Sequence, residues 1–249
     1  VLIDQAAYSN RWRQVHPAAK VIFSFSGMVA AFLAGPPWSA GALALALALI
    51  TVGGAGIPAG HYLRAAAPAL FFLGISALAL LVSVTGMPGT GNGPVIVVTD
   101  AGREQAVRLC GRAVVSLAAL LFLALTTPLT EIIALLRSLK VPGLVLDMAV
   151  IGYRMLFVFS DTVHQIRTAQ AARLGYAGRR HAFRSLGQLV AASTLQIWQR
   201  AAALDRAAEA RCSNGSLRFM TPLYAHTPRD LVIALSAGTF LIMFSLVAL

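Results

Sequence analysis

The chain has 249 residues, of which 58% are hydrophobic and only 12% charged, with a mean hydropathy of +0.75. That balance excludes an ordinary soluble domain and points to a membrane protein. A net charge of +11 would suggest nucleic acid in a soluble chain, but here its distribution along the sequence gives it a different meaning.

A hydrocarbon core of about 30 Å takes about 20 apolar residues per helical span. Residues 1–20 hold no run of that length, so no cleavable signal peptide is expected. Residues 21–34 form a short apolar run, 40–57 are almost wholly Ala, Leu and Gly, and 65–84 carry no charge; these read as three spans. Pro36-Pro37-Trp38 makes the turn between the first two, and the Gly and Pro residues from Gly53 to Gly60 break the second. Residues 86–105 read as a loop with a short extended piece at 95–99. Residues 113–127 are a less apolar fourth span, and 231–249 a last one.

Between these last two the character changes. Pro128 and Pro142-Gly143 bracket a short helix, and two long helices follow at 144–174 and 182–212, joined by the connector 175–181. On the first, Asp147, Arg154, Asp161 and Thr168 recur every seventh residue, with Ser160, His164 and Arg167 beside them. Such a stripe on a greasy helix suits one that packs on other helices near the membrane surface. The second is rich in Ala, and Ala202 or Ala203 is expected to mark its close crossing with the first. With a cytoplasmic N-terminus, 17 of the 20 Lys and Arg residues fall on the inner side, leaving Arg103, Arg108 and Arg112 outside. This obeys the positive-inside rule and removes the need for a nucleic-acid partner.

The chemistry missing from the sequence is equally informative. A P-loop needs a Lys directly after Gly, whereas Lys20 follows Ala19 and Lys140 follows Leu139, so no such ATP site is expected. The five histidines never stand three or four residues apart, so no helical metal pair is expected, and Cys110 and Cys212 form neither a CxxC pair nor an evident disulfide. A membrane enzyme using Asp161, His164 and Arg167, which share one helix face, is the rival reading; a solvated or helix-packing stripe explains them more simply. What stands out is a repeated ending: Ala172-Arg173-Leu174-Gly175 closes one long helix and Ala210-Arg211-Cys212 the other. Taken singly, an Arg in a last turn complements the helix dipole; twice in one hairpin, it asks for a common purpose.

These residues, with Asp4, Ala7-Tyr8-Ser9-Asn10, His16-Pro17, Lys20, Thr126-Thr127-Pro128, Glu131 and Ala134-Leu135-Leu136, resemble the transmembrane T component of energy-coupling-factor transporters, in its cobalt and nickel branch. Leu174 and Cys212 stand where that family's signature has Gly, so Gly175 and Gly215 are expected to supply the turns instead. The resemblance implies an all-α integral membrane protein with about five transmembrane helices and two long cytoplasmic coupling helices. Residues 1–127 would form the membrane bundle, 128–227 the coupling module and 228–249 a last membrane helix. It further implies a non-catalytic chain in a prokaryotic inner membrane, with no cofactor or metal of its own. Two ATP-binding-cassette subunits would hold ATP and Mg and dock on the tips at Arg173 and Arg211, and a membrane subunit would bind cobalt, or else nickel or a vitamin.

Overall fold

The computed structural model describes residues 7–8, 10–81, 83–85, 95–97, 100–212 and 227–248. The expected turn at Gly215, most of the loop at 86–105, and Asp4 and Ser9 lie outside the described residues. Helices dominate: α1 Pro17–Leu33, α2 Pro37–Leu49, α3 Ala59–Leu81, α4 Asp100–Thr126, α5 Leu129–Ser138, α6 Gly143–Ala172, α7 Arg179–Glu209 and α8 Thr227–Val247. The protein is an all-α membrane protein, and its one departure among the described residues is a small antiparallel ladder. In it Ser83–Thr85 pairs with Val95–Val97, Val84 opposite Ile96, so the extended piece expected in the loop is a strand.

The chain divides into two compact units, Val1–Ile132 with Pro222–Leu249, and Ile133–Thr221. In the first, α4 is the central helix, packed by α1, α2 and α3, while α8 lies along α1. Small residues let these helices approach: Ala30, Ala31 and Ala119 are fully buried beside Leu43, Leu47, Val115 and Phe122. Serines stitch the contacts, with Ser24 Oγ donating to the Ala119 carbonyl at 2.8 Å and Ser245 Oγ to that of Ala30 at 2.9 Å. Where α2 ends, Ile50–Gly54 widens into a π turn, and the Trp12 ring fills the space beside Gly54, where a Cβ would come within 2.6 Å of it.

Among the described residues five helices have the length and apolarity to cross a membrane: Pro37–Gly54, Ala59–Leu80, Gly102–Thr126, Gly143–Ala172 and Pro228–Val247. The count matches the expectation, but the membership differs in two places. α1 has 17 residues, about 25 Å of rise, and falls short, while α6, read from its polar stripe as a surface helix, meets the criterion. The central α4 starts well before residue 113; its first turns carry Arg103, Glu104, Arg108 and Arg112, which lower the local hydropathy without breaking the helix.

The second unit holds the rest of α5 and the hairpin of α6 and α7. Pro142 caps the start of α6, and the two helices pack on each other. Their most buried residues are Leu146 and Thr162 on α6 and Ser185 and Ser193 on α7, with Ser193 only 1% exposed. Ala202 is half-buried and Ala203 exposed, so neither is the most buried point of the crossing. The close approach uses serines, small side chains that also satisfy themselves: Ser193 Oγ donates to the Leu189 carbonyl of its own helix at 2.7 Å.

Candidate coupling site

At the end of α6 the backbone closes in a Schellman cap. The Leu174 N–H donates to the Ala171 carbonyl at 3.1 Å and the Gly175 N–H to that of Gln170 at 2.8 Å, satisfying carbonyls that the helix leaves open. Such a cap needs a left-handed residue, normally Gly, and here Leu174 takes it, at φ +57°. The expectation that Gly175 would supply this turn is therefore corrected: the left-handed residue directly follows Arg173. Gly175 is needed for another reason, since a Cβ there would lie 2.7 Å from Ser185 Oγ and 2.9 Å from the Gln170 carbonyl oxygen.

The end of α7 repeats this geometry. The Arg211 N–H donates to the Ala208 carbonyl at 3.1 Å and the Cys212 N–H to that of Glu209 at 2.9 Å, matching Arg173 to Gln170 at 3.2 Å and Leu174 to Ala171. Cys212 is left-handed at φ +52°. Ala172 and Ala210, Arg173 and Arg211, and Leu174 and Cys212 are thus structural equivalents. All six are exposed, with Leu174 at 75% and Gly175 half-buried beneath it. Among the described residues neither arginine makes an ion pair, so each guanidinium projects its fork of donors outward from a fixed turn.

A clasp that the sequence reading missed stiffens the first tip. Gln170 Nε2 donates to the Ser185 carbonyl at 2.9 Å, Tyr176 Oη donates to Gln170 Oε1 at 2.7 Å, and Ser185 Oγ donates to the Gly175 carbonyl at 2.8 Å. Gln170, Tyr176 and Ser185 thereby tie α6, its connector and α7 together. The only signal in the sequence was two polar residues flanking the Ala-Arg pair.

A second polar cluster sits in the membrane unit where α4 passes into α5. Lys20, 2% exposed, donates from Nζ to the Thr126 carbonyl at 3.0 Å and stands 3.7 Å from Glu131 Oε2. Asn10 Nδ2 donates to the same carbonyl at 3.0 Å. The last turn of α4 therefore gets side-chain donors, and Glu131 supplies a carboxylate to the first turn of α5. Burial pushes the Glu131 carboxyl above the usual carboxylate range, against the opposing pull of Lys20 and Arg13.

The enzyme candidates are not assembled into a site. Asp161, His164 and Arg167 are exposed on α6, and among the described residues no side-chain hydrogen bond joins the three; Thr168 Oγ1 donates to the His164 backbone carbonyl at 2.8 Å. Asp147, at the head of the same stripe, lies 3.8 Å from Arg137. Among the described residues no group of three or more His, Cys, Asp or Glu side chains is placed to hold a metal ion, and Cys110 and Cys212 are free.

This arrangement has relatives. A cobalt transport protein, CbiQ, of Rhodobacter capsulatus is 32% identical over 235 residues, covering 94% of this chain and 93% of the relative. The CbiQ of Salmonella typhimurium is 29% identical over 193 residues, covering 75% and 85%. A putative fused cobalt transport protein, CbiMQ, of Methanocorpusculum labreanum is 24% identical over 245 residues, covering 90% of this chain but 39% of the fused protein. The model of the CbiQ cobalt transport proteins matches residues 9–222, and the chain belongs to that family.

Proposed function

We propose that this cobalt transport component is the non-catalytic coupling subunit of an ATP-driven importer, and that the ends of α6 and α7 are its docking points for two ATP-binding-cassette subunits. The observation that carries the reading is the matched pair of tips: one arginine, one left-handed residue after it and one pattern of backbone bonds, at both ends of a single hairpin. α7 has 31 residues, a rise of about 45 Å, so no single small pocket receives both arginines. Two similar pockets on two similar subunits do. ATP and Mg then belong to those partners, in keeping with the absence of a Gly-Lys step from the sequence.

The membrane partner in this reading is a CbiM-like subunit that binds the cobalt. The fused relative supports it, since its name joins such a component to a CbiQ portion in one chain. The hairpin and the N-terminus lie on the cytoplasmic side of the inner membrane, the side that receives most of the basic residues. The stripe of half-buried Asp147 and exposed Arg154, Asp161 and Thr168 gives α6 a face that lipid would not solvate, although its length would allow a crossing. Reconstitution in liposomes tests the whole: cobalt uptake should require this chain, the ATPase pair, the CbiM-like subunit and ATP together. Uptake by a mixture lacking the ATPases would contradict the proposal.

A further inference from the structure

We propose that Lys20 and Glu131 form a pin that holds the first turn of α5 to the membrane bundle, and that this pair positions the chain for transport; the inference rests on the coupling reading above. The chain passes from the first unit to the second within α5, between Ile132 and Ile133, one residue beyond Glu131. α5 is thus one of the two covalent connections between the units, and its first turn is where the bundle takes hold of it.

The pin is built for holding rather than for stability. Lys20 takes the Thr126 carbonyl at the end of α4 and faces Glu131 in the first turn of α5, so one buried pair closes two helix ends. Asn10 shares the Thr126 carbonyl, and Tyr8 Oη lies 3.2 Å from Thr130 Oγ1, fixing the same turn from a second side. Yet Glu131 Oε2 and Asn10 Oδ1 have no hydrogen-bond partner among the described residues, although both residues are buried. A buried ion pair left partly unsatisfied is usually matched or bettered in stability by apolar side chains of similar volume. Apolar residues, however, would not fix the angle between the two helix ends, because dispersion contacts are not directional. The geometry is what the charges contribute.

The test uses the complete transporter in liposomes with cobalt ion as the probe, reading ATP hydrolysed and cobalt taken up. The double variant Lys20→Met/Glu131→Leu should assemble with the ATPases and still support hydrolysis, while cobalt taken up per ATP falls by about tenfold, an ordinary size for a lost coupling. Glu131→Asp, which keeps the charge, should recover most of the ratio. If the double variant does not fold, Glu131→Gln is measured in the same way and should show the same fall. An unchanged ratio in whichever of these variants assembles would overturn the pin and leave the docking reading intact. A parent chain whose uptake does not depend on the ATPases would overturn both.

Discussion

Leu174 and Cys212 hold the same left-handed backbone conformation, at φ +57° and +52°, each directly after an exposed arginine at the end of a long helix. A side chain there crowds its own backbone, at a cost of about 1–2 kcal/mol relative to Gly. Among the described residues Lys140 at the end of α5 holds it too, at φ +60°, so three helix ends carry this cost, two of them directly after an arginine. Leu174→Gly and Cys212→Gly should each stabilise the purified chain by about 1 kcal/mol, read from thermal unfolding in detergent. Destabilisation by either change would mean that the tip does not adopt the left-handed turn.

Gly175 behaves differently although it is adjacent. Its missing Cβ makes room for Ser185 Oγ and for the Gln170 carbonyl, so Gly175→Ala should cost about 1–3 kcal/mol through overpacking. Adding Ser185→Ala should recover only part of the loss, since the Gln170 backbone oxygen remains. Full recovery in thermal unfolding would place the whole conflict on the serine.

On α7, Ser193 is buried and Ala203 exposed. Ser193→Leu should force the hairpin apart and destabilise it by about 1–3 kcal/mol. Ala203→Leu should stay within about 0.5 kcal/mol of the parent. The reverse order in the same melting experiment would move the close crossing toward the alanine-rich end.

The proposed coupling role leaves metal recognition to a partner. Calorimetry with cobalt on the isolated chain should detect no tight stoichiometric site, because the described residues bring no three ligating side chains together. A tight one-to-one site would return metal recognition to this chain.

How much of this was legible in the sequence follows from what hydropathy and spacing encode. Apolar runs marked α2, α3 and α8, and the Pro128 and Pro142 punctuation marked α5 and the start of α6. The full length of α4 was hidden, because Arg103, Glu104, Arg108 and Arg112 make its first turns look like loop although charges are compatible with helix. The repeated Ala-Arg endings were visible, but the left-handed turn after them was not, since Leu and Cys seldom take it and nothing local announces it. The crossing was misplaced for a related reason. Ala-rich segments advertise close packing, whereas the buried positions were serines whose hydroxyls bond within the hairpin. Lys20 and Glu131 stood out only as parts of a family resemblance, because a contact between residues so far apart in the chain leaves no periodicity to read.

The most direct test of the account is site-specific crosslinking from positions 173 and 211 in the assembled complex. Because α7 separates the two arginines by about 45 Å of helix, each probe should capture a different ATPase subunit. Arg173→Glu and Arg211→Glu should each weaken docking and cobalt uptake, with the double change worse than either and Arg179→Glu in the first turn of α7 doing much less. Capture of one and the same ATPase subunit by both probes, or an intact complex after both charge reversals, would contradict the two-tip docking account.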